Sequence, residues 1–408
     1  MSVTDGPVPV TSVAGPTALQ HLSAAEREVA CLLGLSATEG VGAVTVLACH
    51  LDGGAEHAWK CLLSGDVGLS RALSSTLRPR WRDRAIRSAR SLDPLDDLAR
   101  CRSLGIEVLV HGRPGYPERL ADDPAPPALL FASGPLPARN SPTVAIVGTR
   151  NATALGRSFA RRLGADLTEA GVSVVSGLAV GIDGAAHRGA LDALAASRGD
   201  AAVPPGRPLG VIASGLDVSY PARHAQLHRE ITEWGVLVSE NPPGQRPSEW
   251  RFPARNRIIA GLSDAVVVVE SRSTGGSMIT ADEAAERGVP VLAVPGHPTM
   301  ASAAGTNSLI CDGVRPVRDA RDVLDEIGCC AVAGLVEAAR GSEAPRLPVF
   351  EQAIFESLLA GPLSLSELVE RTGTGLDEVA EALTRLESAG RVASTGGWFE
   401  ATSSQQDR

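Results

Sequence analysis

The stretch TVAIVGTRNATALGRSFARRLGADLTEAGVSVVSG, residues 143–177, decides the fold. An apolar run, TVAIVG (143–148), gives way to GRSFARRLGADLTEA, which reads as helix, and then to a second apolar run, VSVVSG (172–177). Four more runs follow: GVIASG (210–215), GVLVSE (235–240), AVVVVE (265–270) and PVLAVPG (290–296), with helical stretches such as TADEAAERG between strands. Strands that are continuously apolar and separated by helices predict a parallel sheet covered on both faces. The expectation is an α/β, doubly wound Rossmann-like domain with its core at 143–328. Within it, ASRGDAAVPPGRPLG (196–210) is longer and richer in Pro and Gly than a βαβ connection needs, so an exposed loop is expected there.

Working outward, residues 105–137 are rich in Gly and Pro and predict a connector with one short strand, so the Rossmann-like unit with its connector spans 105–328. Residues 23–104 show apolar positions at helical spacing in AEREVACLLGL and VTVLACHL, predicting a helical module behind a disordered tail at 1–22. Between those two helices, Gly40 and Gly42 flank Val41 in a turn of the kind that helix-hairpin-helix modules aim at phosphates, and a plain tight turn is the competing reading. The run Arg78, Arg80, Arg82, Arg84, Arg87, Arg90, set against a lone Asp83, reads either as a DNA-facing surface or as a solvated helix face. Beyond a linker at 329–347, three helices and a hairpin turning at Gly396-Gly397 predict a winged helix over 348–401.

Composition narrows the chemistry. The 408 residues suit two to three domains. With 38 Lys+Arg against 47 Asp+Glu, the net charge of -9 requires any nucleic-acid contact to be local. The one lysine, Lys60, lies in AWKCLL, which is neither a P-loop nor a Schiff-base context. The 7 cysteines show no CxxC spacing, so neither a disulfide framework nor a zinc site is indicated and a reducing, cytoplasmic setting is expected. No leader-like start and no apolar stretch of about 18 residues is present, so no membrane role is expected.

In an open parallel sheet, ligands bind beyond the carboxyl ends of the strands. Here those ends are small and flexible: Gly148-Thr149-Arg150, Ser176-Gly177-Leu178, Ser214-Gly215-Leu216, Gly275-Gly276-Ser277 and Pro295-Gly296. Such an edge predicts a phosphate-bearing ligand. A dinucleotide is disfavoured, because GTRNATALG lacks the GxGxxG spacing and sets Arg150 where a pyrophosphate needs close backbone approach. Arg150 offers a guanidinium for phosphate, or an ion pair with Asp183 or Glu240. The segment Trp250-Arg251-Phe252-Pro253-Ala254-Arg255-Asn256-Arg257 combines arginines with aromatic rings in a chain only 3% aromatic, the two components of single-strand binding. Its competing reading makes Trp250 and Phe252 core plugs. Catalytic and metal constellations are thin. Asp183 and His187 lie one helical turn apart and read either as an acid/base pair or as a helix-start histidine bonded to its neighbour, His224 and His228 lack a third ligand, and Ser176 and Ser277 have no base in register. No catalytic residue, metal or cofactor is expected. The helix LDEVAEALTRLESA carries Asp377, Glu378, Glu381 and Glu387 against Arg385, a poor groove reader and a better protein contact.

From about residue 30 onward the chain resembles the DprA/Smf family of DNA-processing proteins. The resemblance rests on VAIVGTRNAT, SGLAVGIDGAAH, ASGLDVSYPARH, VSENPPG, FPARNRIIAGLS, VVVVESRSTGGSMITADEA and AVPG with GTNSLI downstream. It implies a non-enzymatic homodimer that binds and protects incoming single-stranded DNA and loads the RecA recombinase during natural transformation. Together with the strand ends, it implies an interface of Gly148, Arg150, Ser176, Gly177, Phe252, Arg255, Asn256, Arg257, Gly275, Gly276 and Ser277. His224, Asn241 and Gly276 depart from the family pattern, and arginine serves where a family lysine is usual. The rival is a nucleotide phosphoribohydrolase of the lysine-decarboxylase-like group, whose PGGxGTxxE turn GGSMITAD only partly resembles.

Overall fold

The computed structural model describes residues 21–197, 203–329, 347–359, 361–388, 391–395 and 397–401. The N-terminal tail to residue 20, the middle of the 196–210 loop, most of the 329–347 linker and Gly396 of the hairpin turn lie outside the described residues. The chain divides into two compact units, Met1–Ala333 and Gly334–Arg408.

The sheet of the first unit has nine strands: β1 Glu107–Val110, β2 Leu129–Ala132, β3 Thr143–Val147, β4 Ser173–Ser176, β5 Leu209–Val211, β6 Val236–Ser239, β7 Ala265–Val268, β8 Val291–Ala293 and β9 Arg315–Pro316. Their order is β1-β2-β6-β5-β4-β3-β7-β8-β9. Pairing is parallel from β6 through to β9 and antiparallel for β1 with β2 and β2 with β6. The apolar runs thus form a doubly wound sheet. The connector differs from expectation, since it supplies two strands rather than one and both extend the sheet. EVLV and LLFA are too short to show a period; they are strands because they pair with each other and because the second also pairs with Val238 and Ser239. GVIASG contributes less than expected, because β5 ends at Val211 and Ile212 onward is loop.

Strand order reverses between β3 and β7, which places the crevice of the sheet between the segments following those two strands. The helices Ala154–Glu169 and Ile182–Ala196, which follow β3 and β4, pack backbone to backbone. At Gly189 a Cβ would stand 1.8 Å from the Arg161 carbonyl oxygen, and at Gly164 one would stand 2.3 Å from that of Ala186.

The N-terminal module is built of six helices: Ala24–Ala37, Ala43–Leu51, Ala55–Ser64, Arg71–Thr76, Arg82–Arg90 and Pro94–Ser103. The first opens with a capping box, Ser23 with Glu26, which satisfies two donors that a helix start leaves unpaired. Its apolar face continues into the sheet, since Leu32, Leu35 and Cys101 share one core with Phe131, Ile212 and Leu237. In the second unit the helices Val349–Leu359, Leu365–Thr372 and Leu376–Ser388 surround Ile354, Leu368, Val379 and Leu383, and strands Val392–Thr395 and Trp398–Ala401 pair antiparallel. Ser364 and Glu367 form a second capping box at the start of the middle helix. On the last helix Asp377, Glu378, Glu381 and Glu387 are exposed, and Arg385 is engaged by Glu351 and Glu381.

Gly189→Ala forces two backbones apart, and overpacking of this kind costs about 3 kcal/mol. A urea midpoint unchanged from that of the parent would contradict the packing described.

Candidate nucleic-acid interface

The segment FPARNR lies inside one helix, Arg251–Gly261. Residues three or four apart share a helix face, so Phe252, Arg255 and Asn256 point toward the sheet edge together. Arg255 is only 7% exposed. Its Nη1 donates to the carbonyls of Gly177, at 2.9 Å, and of Val211, and its Nε donates to Asn256 Oδ1 at 3.3 Å. One guanidinium therefore joins the ends of β4 and β5 to this helix. A Cβ at position 177 would stand 2.5 Å from that guanidinium, so any side chain there would displace it from the two carbonyls. Burial pulls Arg255 down to about 10, opposed by Asp183 and reinforced by Arg150, and it remains charged at neutral pH. Asp183 accepts from Gly177 N–H at 3.1 Å. Burial pushes its carboxyl up, while Arg255 and the backbone amides pull it back.

Other members of the expected interface are also taken up by the framework. Arg257 donates to Glu240 at 2.6 Å, and burial pushes Glu240 up against that pairing. Ser176 donates to the Ile146 carbonyl at 2.6 Å, and Ser277 donates to Ser271 at 2.9 Å. Asn256 Nδ2 donates to the Gly276 carbonyl at 3.4 Å. Gly148 is packed against Ile182 and the Glu270 carbonyl. The ion pair weighed for Arg150 does not form, since Glu240 belongs to Arg257 and Asp183 faces Arg255.

What reaches the outside is a different set. Arg150 is exposed, and its guanidinium lies 4.9 Å from the centre of the Phe252 ring. Tyr220, 45% exposed, lies 5.6 Å from the same ring in a tilted arrangement. Trp250 is 67% exposed, with the Arg251 guanidinium 4.8 Å from its ring centre, so it is not a core plug. Arg223, Arg246 and Arg272, in the segments after β5, β6 and β7, are exposed as well. Among the described residues none of Arg150, Arg223, Arg246 and Arg272 has a carboxylate partner, whereas Arg119, Arg161, Arg188 and Arg287 are all ion-paired. The sequence offered little sign of Arg223, Arg246 and Arg272, which occur singly. Tyr220 had one available signal, as one of only 2 tyrosines in the chain, placed in the SYPARH motif.

The crevice between β3 and β7 carries its own anion. Glu270 accepts from Thr153 N–H at 2.9 Å and from the Thr153 hydroxyl at 2.5 Å, at the start of the helix Ala154–Glu169. A carboxylate thus occupies the helix N-terminus where a nucleotide-binding Rossmann fold holds phosphate. By contrast, the helix Gly276–Glu286 begins with no side-chain cap and no acidic residue in its first turn, and Gly276 is exposed. His187 is wholly buried and is not bonded to Asp183. Loss of water pushes it down to about 4. His224 bonds the Leu178 carbonyl at 2.9 Å. No group of three metal-ligating side chains occurs among the described residues.

The edge therefore combines stacking rings with uncompensated guanidiniums. A family model described as DNA recombination-mediator protein A matches residues 107–328, more than half of the chain, and one described as DprA winged helix domain matches 338–397. The chain belongs to the DprA/Smf family. It is 31% identical over 411 residues to Protein Smf of Synechocystis, covering 91% of this chain and 98% of that protein. It is 38% identical over 231 residues to DNA processing protein DprA of Bacillus subtilis, covering 56% of this chain and 74% of the relative. Among solved structures, that of DprA from Streptococcus pneumoniae matches with a TM-score of 0.57 at 30% identity, covering 72% of this chain and 95% of that one. In DprA/Smf terms the residues described here belong to the DNA-processing domain.

His187 makes the acid stability of this domain testable. Its folded value lies below the ordinary 6.5, so as pH falls the unfolded chain takes up the proton first. Stability from this group is complete above about 6.5 and drains as pH falls toward about 4, by up to about 3 kcal/mol. His187→Gln is expected to flatten the loss of denaturation midpoint between pH 7 and pH 5, and an unaltered slope would refute it.

Proposed function

We propose that the protein binds single-stranded DNA along the carboxyl edge of its sheet. One observation carries this reading: Phe252, held between Arg150 and Tyr220, lies on the same sheet edge as exposed arginines that have no carboxylate partner among the described residues. Rings accept any base by stacking and guanidiniums accept any phosphate, so the arrangement suits a strand of arbitrary sequence. The uncapped start of the helix at Gly276, beside Arg272, adds backbone N–H groups of the kind that hold phosphate. Arg255, Asn256, Arg257, Ser176, Gly177 and Ser277 support this surface from beneath.

On this reading the protein acts by binding and not by catalysis. The hydroxyls of Ser176 and Ser277 are committed to the framework and His187 is buried away from the edge. The carboxylate of Glu270 at the first helix start weighs against the phosphoribohydrolase alternative, since a nucleotide phosphate there would meet a like charge. A recombination mediator that covers single strands shields them from nucleases and hands them to RecA, so we infer a cytoplasmic homodimer that loads RecA on incoming DNA. Among the described residues no helix is long and apolar enough to cross a membrane.

The test is oligonucleotide binding across a salt series. Phe252→Ala is expected to cost about 1–3 kcal/mol of affinity, and Arg150→Ala to lower the salt slope by about 0.7. Arg255→Ala should act differently, because it leaves Asp183 buried beside no counter-charge. It is expected to cost about 3–5 kcal/mol of folding stability. Full affinity in both edge variants would rule out this surface. RecA loading is read separately, as a shortened lag of RecA assembly on strands already coated by a single-strand binding protein.

A further inference from the structure

The arginine run of the helical module, unused by the sheet edge, forms a second basic surface. It comprises a short turn, Pro79–Trp81, and the helix Arg82–Arg90, which buries Ala85 and Ala89 and turns Arg84 and Arg87 outward. Three of its arginines have local employment. Arg84 pairs with Glu39, Arg90 donates to the Leu63 and Ser64 carbonyls at 2.9 and 3.2 Å, and Arg82 reaches the Ser74 carbonyl at 3.4 Å. Arg78, Arg80 and Arg87 are exposed and have no carboxylate partner among the described residues, although Asp83 lies within the same run.

Two further features share that face. Trp81 lies under the guanidiniums of Arg80 and Arg84, 5.9 and 5.4 Å from its ring centre. Gly40, at φ +85°, packs against it so closely that a Cβ there would stand 2.9 Å from the Trp81 Cβ. The turn holding Gly40 ends at Gly42, which starts the helix Ala43–Leu51 without a side-chain cap or an acidic first turn. Positive charge and unmet backbone donors therefore gather beside one fixed ring. In a chain carrying 47 carboxylates, three arginines of one run without a carboxylate partner among the described residues are not accounted for by folding alone.

The module also abuts the loops of the sheet edge. Arg100, on the helix Pro94–Ser103, pairs with Asp217 at 2.6 Å, and Asp217 lies three residues before Tyr220. We propose that Arg78, Arg80 and Arg87 hold the phosphate backbone of the same single strand beyond the part stacked at Phe252, without reading its sequence. This rests on the sheet edge being a single-strand site.

The experiment uses the full chain with oligothymidylates of about 8 and about 40 nucleotides, the shorter within one site's reach. Three neutralised contacts are worth about 2 in the slope of log affinity against log salt. The variant R78A/R80A/R87A is therefore expected to lower the slope by about that much on the long strand and not on the short one. R78K/R80K/R87K should keep the parent slope, and the thermal midpoints of both should match the parent. An unchanged long-strand slope would overturn the proposal and leave the run as a solvated face or a protein contact. An equal drop on both lengths would also overturn it. Should the parent itself fail to bind the short strand with a salt slope, the sheet-edge reading fails, and the long-strand comparison still judges the arginine run.

Discussion

The buried guanidinium of Arg255 is the constraint on which the sheet edge depends. Strand ends in a parallel sheet leave carbonyls that helices do not satisfy, and here one side chain donates to two of them, at Gly177 and Val211. Taking a charge out of water is costly unless its donors and its charge are both answered. The carbonyls and Asn256 answer the donors, and Asp183 answers the charge. Because Phe252 precedes Arg255 by three residues on the same helix, fixing the guanidinium also fixes the ring, and the ring sets where Arg150 lies. A stacking platform on an otherwise mobile edge would lose side-chain entropy on each binding event, and this one is held in place by its own core.

Arginines in this chain divide into two populations by environment. Arg287 is buried between Asp123 and Glu283, Arg257 is held by Glu240, and Arg119 bridges to Asp264. Those pairs fasten the segments before β3 and after β6 to the sheet. Among the described residues Arg150, Arg223, Arg246 and Arg272 at the carboxyl edge face water with no carboxylate partner, so an incoming phosphate need not displace one there. The exception is Glu270, whose carboxylate holds Thr153, the residue that caps the helix after β3. That one substitution of an internal anion for an external one separates this edge from the nucleotide-binding use of the same fold, and it moves the available donors toward Gly276.

The core of this architecture was legible in the sequence because a strand buried on both faces must be apolar at every position, as in VAIV and AVVVV. The antiparallel strands EVLV and LLFA were less so, since four residues carry no period and Gly and Pro surround them. The candidate site was legible as a set of motifs but not as a surface. WRFPARNR shows three arginines with equal claims on a phosphate, and only the packing against β4 and β5 shows that Arg255 is buried, while Arg150, from the segment after β3, stays outside. Arg223, Arg246 and Arg272 are far apart along the chain. They converge because parallel strands all end at the same edge, which is a property of topology and not of any local pattern.

That topology also explains how a chain of net charge -9 presents a basic site. Parallel strands bring the segments after them to one edge, so a few arginines, one per segment, add into a single field there. The winged-helix unit has the opposite arrangement. Its last helix turns Asp377, Glu378, Glu381 and Glu387 outward, and its Arg385 is already neutralised by Glu351 and Glu381. A helix with that surface would be repelled by a phosphate backbone and attracted to a cationic protein. The acid that makes the whole chain negative is thus partly segregated on a unit with its own core.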